Sequence, residues 1–254
     1  MKILVIPDTQ VKPDAPMNHL QWIGQYAVDK KPDVIVHLGD HADMPSLSSH
    51  DHAGSKSMEG KRYKQDVLAA HHGMELLLNP IRAEQLRLKK NKDKVWKPRL
   101  ILTLGNHENR INRAINNDPK LEGLISISDL RYEEYGWEVY PFLTPVVVNG
   151  VVFCHYLTSG ILGKPVTSAR ALLSKHHQSC VVGHQQGRDI AYGHRADGKE
   201  MTALIAGSCY LHDENYLNYQ TNNHWRGIYM LHEVNDGSFD EMAVSLKYLE
   251  KTYG

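Results

Sequence analysis

Cysteine is scarce in this chain. Cys154, Cys180 and Cys209 are the only three in 254 residues, and they stand far apart. An odd, scattered set excludes a disulfide framework and is read as reduced thiols in a cytoplasmic protein. Net charge is missing too, since 29 Lys and Arg balance 29 Asp and Glu. That excludes nucleic-acid affinity through bulk charge, though not a local basic patch. No apolar run comes near the roughly 20 residues a helix needs to cross a bilayer, so no membrane association is expected. Met1 to Pro7 is a short apolar run without a small-residue cleavage site, and no signal peptide is expected. No Pro/Gly/Ser-rich linker divides the chain, which predicts one domain over 1–254. Hydrophobic residues at 41% and charged residues at 23% are ordinary globular usage and exclude wholesale disorder. Histidine, by contrast, is abundant at 16 residues. A metal bound here would be held by imidazole and carboxylate rather than thiolate.

The first half alternates strand and helix patterns. The run KILVIP is a buried strand that stops at Pro7-Asp8. Asn18 to Lys30 carries Leu20, Ile23, Ala27 and Val28 at helical spacing, and DVIVHL (Asp33 to Leu38) is a second strand. Strand, helix and strand form a βαβ unit with parallel strands. The stretch 44–60 is Ser-, His- and Gly-rich and reads as a long, lid-like loop. A helical pattern returns from about Gly60 to Lys92, with Asn79-Pro80 as an expected break. Arg99 to Leu104 is a third strand, and Glu108 to Asn117 a helix. From about residue 136 the chain turns β-rich. Asn149-Gly150 between two apolar runs predicts a hairpin. A helix over Thr167 to His176 precedes strands at Ser179 to Val182, Ile190 to Tyr192, Thr202 to Ala206, Gly227 to Val234 and Met242 to Leu246.

Five strand ends carry residues of metal-ligating type. They are Asp8 with Gln10, Asp40, Asn106 with His107, His155, and His184 with Gln186. Ligands of open α/β sheets bind at the carboxyl ends of strands. Asp8 and Gln10 are two apart, as are His184 and Gln186, so on extended backbone each pair leaves one face. Asp40 and Asn106 each follow a glycine that permits a tight turn. Singly, an Asp or Asn after Gly is usually a turn residue. Six such groups in register are not explained that way.

The blocks Asp8-x-Gln10, Gly39-Asp40-x-x-Asp43, Gly105-Asn106-His107-Glu108, His155 and Gly183-His184-x-Gln186 resemble those of the calcineurin-like metallophosphoesterases. That family shows D-x-H, G-D-x-x-D/N, G-N-H-E/D, a lone H and G-H-x-H in this order. The resemblance implies a four-layer α/β/β/α sandwich of two mixed sheets. It implies two divalent ions, Mn²⁺ foremost, with Zn²⁺, Fe or Mg²⁺ as alternatives. One would be held by Asp8, Gln10, Asp40 and Gln186, the other by Asp40, Asn106, His155 and His184, with Asp40 bridging. Gln10 and Gln186 stand where the family has histidine, so the first site is all oxygen and is expected to bind more weakly. Two cations about 3.5–4 Å apart lower the pKa of a bound water, and the hydroxide attacks phosphorus. By the same resemblance His107 protonates the leaving group, and Asp43 orients it or a ligand. Arg110, one helical turn beyond Asn106, is a candidate contact to a phosphate oxygen. The implied substrate is a phosphate ester, with phosphodiesters favoured. Met44-Pro45 stands where Ser/Thr protein phosphatases of the family carry Arg-Gly, which weighs against that subclass.

The remaining histidines have plainer readings. His37 is a packed strand residue, and His71, His72, His176 and His177 lie on half-buried or solvated helix faces. His41, His50 and His52 are candidates to face substrate, with a solvated loop as the plainer reading. The run Arg87 to Arg99 holds seven basic residues and one acid. It motivates a rival nuclease reading in which the run tracks a nucleic-acid backbone and Trp96 stacks, against the plainer reading of a solvated helix end. Tyr210, Tyr216 and Tyr219, in the Tyr-, His- and Asn-rich stretch His212 to His224 and its approach, are candidates for a substrate wall. A second rival is a non-catalytic metal-binding scaffold, motivated by Gln10 and Gln186. The presence of His107 argues against it, since a scaffold needs no leaving-group acid.

Overall fold

The computed structural model describes residues 1–49, 55–214 and 219–254. The opening strand, β1 (Ile3–Ile6), is buried at all four positions. A strand that is apolar at every position has two faces to cover, so it needs layers on both sides. α1 (Asn18–Lys30) returns the chain to β2 (Val34–His37), which lies parallel to β1. α2 (Tyr63–Lys90) leads to β3 (Arg99–Thr103), and α3 (Arg110–Asn117) to β4 (Glu138–Tyr140), both strands again parallel to their neighbours. The expected break at Asn79-Pro80 does not occur. α2 runs on for 28 residues with Pro80 inside it. The proline ring packs against Gly24 of α1, so tertiary contact holds the helix through the missing N–H. Within 44–60 the described residues form two short turns of 3₁₀ helix, Pro45–Leu47 and Lys56–Met58. His50 and His52 lie outside the described residues.

The second half opens with β5 (Val146–Val148) and β6 (Val151–Cys154), an antiparallel hairpin. Its turn residues Asn149 and Gly150 have φ of 49° and 84°, as a type I′ turn requires. A small hairpin follows, β7 (Thr158–Ser159) with β8 (Lys164–Pro165), and then α4 (Ala169–His176). Ser168 caps α4, its Oγ accepting from the Ala171 N–H. β9 (Cys180–Val182), β10 (Arg188–His194) and β11 (Glu200–Ala206) complete the second sheet, in the order β10-β11-β9-β6-β5. After α5 (Tyr219–Asn222), β12 (Gly227–Asn235) and β13 (Ser238–Ser245) cross back to the first sheet. That sheet has the order β13-β12-β1-β2-β3-β4, with β12 antiparallel to β1. The last strand runs to Ser245 rather than through Leu246, and the chain ends in α6 (Leu246–Tyr253), a helix the apolar pattern alone does not announce.

Alternate residues explain the layering. Leu4, Ile6, Ile35 and Leu102 pack with Leu20 and Ile23 of α1, Met74 and Leu77 of α2 and Leu249 of α6. Ile3, Val5, Val36 and Ile101 face the other way, onto Val148, Phe153, Val181 and Leu204 of the second sheet. The far face of that sheet, with Cys180, Val182, Ala203 and Ile205, is covered by Leu172 and Leu173 of α4. The result is helices, sheet, sheet, helix, as the resemblance implies, and both sheets mix parallel with antiparallel pairs. Each fully buried aliphatic side chain contributes about 1.5–3 kcal/mol to holding these layers together. All three cysteines are buried and unpaired, at places where they act as small apolar groups. Among the described residues, no helix is long and apolar enough to cross a membrane.

Candidate metal centre

β1, β2, β3, β6 and β9 all end on one side of the molecule, and the polar residues follow directly after them. Backbone hydrogen bonds knit these ends together. Gln10 N–H donates to Asp40 O at 2.9 Å, Gly183 N–H to His155 O at 2.9 Å and Cys209 N–H to Asp8 O at 2.7 Å. Space is tight. A Cβ on Gly105 would lie 2.0 Å from Asp40 Oδ1, and one on Gly183 would lie 2.5 Å from Asp8 Oδ1. These glycines are fixed by close approach of backbone to carboxylate. Gln10, Asp40 and His184 have φ of 40°, 48° and 66°, left-handed values that cost of order 1–3 kcal/mol each. The extended-backbone argument for paired side chains therefore fails at Gln10 and His184, where the chain has already left the strand.

Asp40, His155 and His184 come together, each offering a ligand atom within 4.8 Å of the others. His155 is fully buried, and its Nδ1 lies 2.8 Å from Leu38 O. A carbonyl only accepts, so Nδ1 carries a proton and Nε2 faces the cluster. Asn106 Oδ1 at 2.9 Å and Asp40 Oδ2 at 3.3 Å also point there. Three acceptors converging on one point call for a proton or a cation. The ring responds as expected of a protonated group. Burial opposes the charge, but Asp40, with its hydrogen bond, and Asp8 overcome it and push the His155 pKa to about 9. His184 is held neutral, at about 4, chiefly by burial and then by His155. Asp40 stays ionised. Burial raises its pKa, yet His107 and His155 together hold it below the usual carboxylate range.

Asp8 and Gln10 supply a second set of oxygens. Asp8 Oδ1 accepts from the His184 N–H at 3.0 Å, while Asp8 Oδ2 and Gln10 Oε1 are buried with no hydrogen-bond donor among the described residues. Burial pushes the Asp8 pKa upward. Buried acceptors without donors are costly unless a cation or water meets them. Gln186 Oε1 accepts from the Tyr210 hydroxyl at 2.6 Å, leaving one lone pair. Both donor sets fit divalent ions. Asp40, Asn106, His155 and His184 form a mixed nitrogen and oxygen set, and Asp8 and Gln10 are hard oxygen donors.

One consequence is measurable. An ion on His155 Nε2 has to displace the proton that the raised pKa keeps there below about pH 9. Calorimetric titration of Mn²⁺ at pH 7 in buffers of differing ionisation enthalpy is expected to show release of about one proton per ion. Affinity is expected to rise with pH towards 9. Buffer-independent heats would contradict this.

His107 stands next to the cluster. Its Nδ1 lies 2.7 Å from Asp43 Oδ1 and 3.1 Å from Asp43 O, so Nδ1 donates and Nε2 is turned towards Asp40, 3.7 Å from Oδ2. Burial lowers its pKa, but Asp40 and the Asp43 hydrogen bond outweigh that and the net shift is upward. Asp43 is held at about 2 against burial by the same hydrogen bond, with help from Lys12 and Arg110. Arg110 donates from NH1 to Asp43 O at 2.8 Å and to Met44 O at 3.3 Å. Its other arm, NH2, lies 3.3 Å from His107 Nε2.

Several placements differ from expectation. His41 neither faces substrate nor sits in a solvated loop. It is fully buried, Nε2 donating to Ala70 O at 3.0 Å and Nδ1 meeting Thr9 Oγ1 at 2.9 Å. Thr9 in turn lies 3.2 Å from His37 Nε2, whose Nδ1 accepts from the Gly39 N–H. The two histidines brace the loop behind Asp40, because backbone turns this tight leave polar groups that need buried partners. Trp96 is not a free stacking surface, since its Nε1 donates to Pro32 O and its ring packs on the core. Tyr210 is buried rather than part of an open wall. Tyr216 lies outside the described residues. Glu108, assigned no role from sequence, is a hub. Its carboxylate accepts from the N–H groups of Asp40, Ala42 and Gly105 at 2.9–3.0 Å and from the Tyr132 hydroxyl at 3.3 Å. A carboxylate three residues past a glycine turn is the signal that such bracing was available.

The layered α/β architecture thus brings a buried Asp-His cluster and a second Asp-His pair together in the loops at the carboxyl ends of the strands. The family model for calcineurin-like phosphoesterase matches residues 1–229, and the chain belongs to that family. Among solved structures it is similar to YfcE, a phosphoesterase from E. coli, at 12% identity and a TM-score of 0.36, covering 96% of this chain and 100% of that one. It is also similar to a conserved uncharacterized protein of Streptococcus pneumoniae TIGR4, a predicted phosphoesterase. There the identity is 12% and the TM-score 0.31, over 96% of this chain and 97% of that one. A search of curated proteins finds no match.

Proposed function

We propose that this protein is a cytoplasmic, single-domain hydrolase of phosphodiesters that works with two divalent ions, Mn²⁺ foremost. The carrying observation is the approach of Asn106 Oδ1 and Asp40 Oδ2 to His155 Nε2, at 2.9 and 3.3 Å, next to His184 and to His107 on its Asp43 acceptor. In this reading Asp40, Asn106, His155 and His184 hold one ion, and Asp8, Gln10, Asp40 and Gln186 hold a weaker one. Bound divalent ions supply Lewis acidity and lower the pKa of water. His107 gives the Nε2 proton to the leaving oxygen, and Asp43 fixes the ring so that Nε2 faces the centre. Arg110 braces the Asp43–Met44 loop, its NH1 already bound to carbonyls. Lys12, the other cation beside Asp43, is bound to Glu214. Among the described residues Lys12 and the NH1 arm of Arg110 are engaged within the protein, which leaves little side-chain charge beyond the ions themselves for the second charge of a monoester dianion and supports the diester reading.

The nuclease reading loses its main support. Arg87 to Arg99 leads into the amino end of β3, whereas the candidate ligands follow carboxyl ends. Arg99 is the first residue of β3, and the remaining length of that strand, about 13 Å, separates the run from the site end. Arg99 is paired with Glu138 and Arg87 with Glu84.

The test uses bis(4-nitrophenyl) phosphate and 4-nitrophenyl phosphate with Mn²⁺, Mg²⁺, Zn²⁺ or a chelator. Mn²⁺-stimulated, chelator-sensitive turnover with a higher kcat/KM on the diester is expected. No metal-stimulated turnover of either ester, together with a His107→Ala variant indistinguishable from wild type, would favour the scaffold reading.

A further inference from the structure

We propose that Lys12 is a positioning residue for His107, acting through Asp43, and that Glu214 holds it in place. The proposal rests on the reading of His107 as leaving-group acid. Neither residue belongs to the sequence blocks that mark the family.

The contacts form a continuous chain across the site. Asp43 uses Oδ1 for His107 Nδ1, at 2.7 Å. Its other oxygen, Oδ2, lies 3.4 Å from Lys12 Nζ. Lys12 Nζ donates to both carboxylate oxygens of Glu214, at 2.9 and 3.0 Å. Glu214 Oε1 also meets His212 Nε2 at 2.6 Å. The Glu214 backbone is pinned on both sides by Asn222, which accepts from its N–H at 3.0 Å and donates to its carbonyl at 3.1 Å. Tyr210 stacks on His212 at 4.7 Å, and the Arg226 guanidinium lies 4.5 Å over Tyr210. Glu214 is thus tied down and presents its carboxylate to Lys12. The Glu214 and Asp43 side chains are only 5% and 10% exposed, so their charges are poorly hydrated.

Orientation follows from this geometry. A carboxylate has two equivalent oxygens, and His107 needs one of them in the plane of its ring. A cation fixed on Oδ2 leaves Oδ1 to the imidazole and stops the group from rotating. Lys12 does this with a flexible stem, so it needs the bidentate grip of Glu214 to stay in place. It also separates two buried carboxylates that would otherwise repel each other. Arg110, 3.4 Å from Oδ1, approaches the oxygen already used by His107 and cannot replace Lys12 on Oδ2.

An ion pair that only tethers the loop would alter stability or all substrates alike. One that positions the acid alters the dependence on the leaving group. The test measures kcat with Mn²⁺ for aryl methyl phosphates whose leaving groups run from 4-nitrophenol to phenol. Enzymes are wild type, Lys12→Met, Lys12→Met/Glu214→Gln and His107→Ala, with metal content determined for each. The double variant removes both charges and guards against loss of fold from an unpaired Glu214. Wild-type metal content is expected in both Lys12 variants. The ratio of kcat for the phenyl ester to that for the 4-nitrophenyl ester is expected to fall about tenfold or more in them, in the same direction as in His107→Ala. A ratio unchanged in both Lys12 variants while His107→Ala shifts it would overturn the proposal alone. A ratio unchanged in His107→Ala as well would remove the acid assignment, and this proposal with it.

Discussion

Replacing Asp40 with asparagine is expected to strip the protein of tightly held metal and leave no turnover above background. Asp40 is the carboxylate of the mixed site and the residue assigned to bridge both ions. Its Oδ1 accepts from the His107 N–H at 2.8 Å, and its Oδ2 faces His155 Nε2 at 3.3 Å. Asparagine keeps the shape, so the fold is expected to survive, but it removes a full negative charge at the meeting point of the ligands. An outer partner of a ligand is worth about 10–100-fold in metal affinity, and a direct bridging ligand is worth more. The change also withdraws one support for the His155 proton, whose raised pKa depends on Asp40. Elemental analysis after dialysis, with a thermal melt as control for folding, checks this. Metal retention equal to wild type would show that Asp40 is not a ligand.

Replacing His107 with alanine is expected to reduce kcat by about 10²–10⁴-fold on a phenyl diester and by far less on the 4-nitrophenyl diester, with metal content unchanged. The difference arises because 4-nitrophenolate leaves with little help from a proton. His107 is not assigned as a ligand, so its loss separates acid catalysis from metal binding. The sign of the pH dependence follows from the direction of its shift. A raised pKa keeps the acid form present to higher pH than an ordinary imidazole, and activity on the phenyl ester falls as pH rises through it. Asp43→Asn keeps an oxygen for Nδ1 but removes the carboxylate charge that favours the protonated ring, and is expected to move that fall to lower pH. An alkaline limb that stays in place in Asp43→Asn would contradict the pairing.

Much of the first half was legible because its local and global signals agree. Asn18–Lys30 is the helix its spacing predicts, and DVIVHL and RLILTL are the buried strands their composition predicts. Asn149-Gly150 makes its hairpin because both residues tolerate positive φ. The candidate ligands were legible as polar residues closing apolar runs, and the order of the blocks carried the family. Roles set by packing were not legible. Pro80 reads as a break, yet the contact between α1 and α2 carries the helix through it. His41 reads as a loop residue beside a ligand. It is buried because the turn after β2 is so tight that Thr9, His37 and His41 must satisfy one another. Lys12 and Glu214 are 202 residues apart, and no local pattern announces a salt bridge across that separation. Glu108 closes the Gly105-Asn106-His107-Glu108 block, but only the fold brings the N–H groups of Asp40, Ala42 and Gly105 to one carboxylate.

The central claim is that Asp40, Asn106, His155 and His184 grip one divalent ion. Anomalous diffraction from crystals equilibrated with Mn²⁺ tests it most directly. The expected result is a peak within coordination distance of Asp40 Oδ2, Asn106 Oδ1, His155 Nε2 and a His184 ring nitrogen, with a weaker second peak beside Asp8 and Gln10. Manganese bound elsewhere, or no peak among these four side chains, would contradict it.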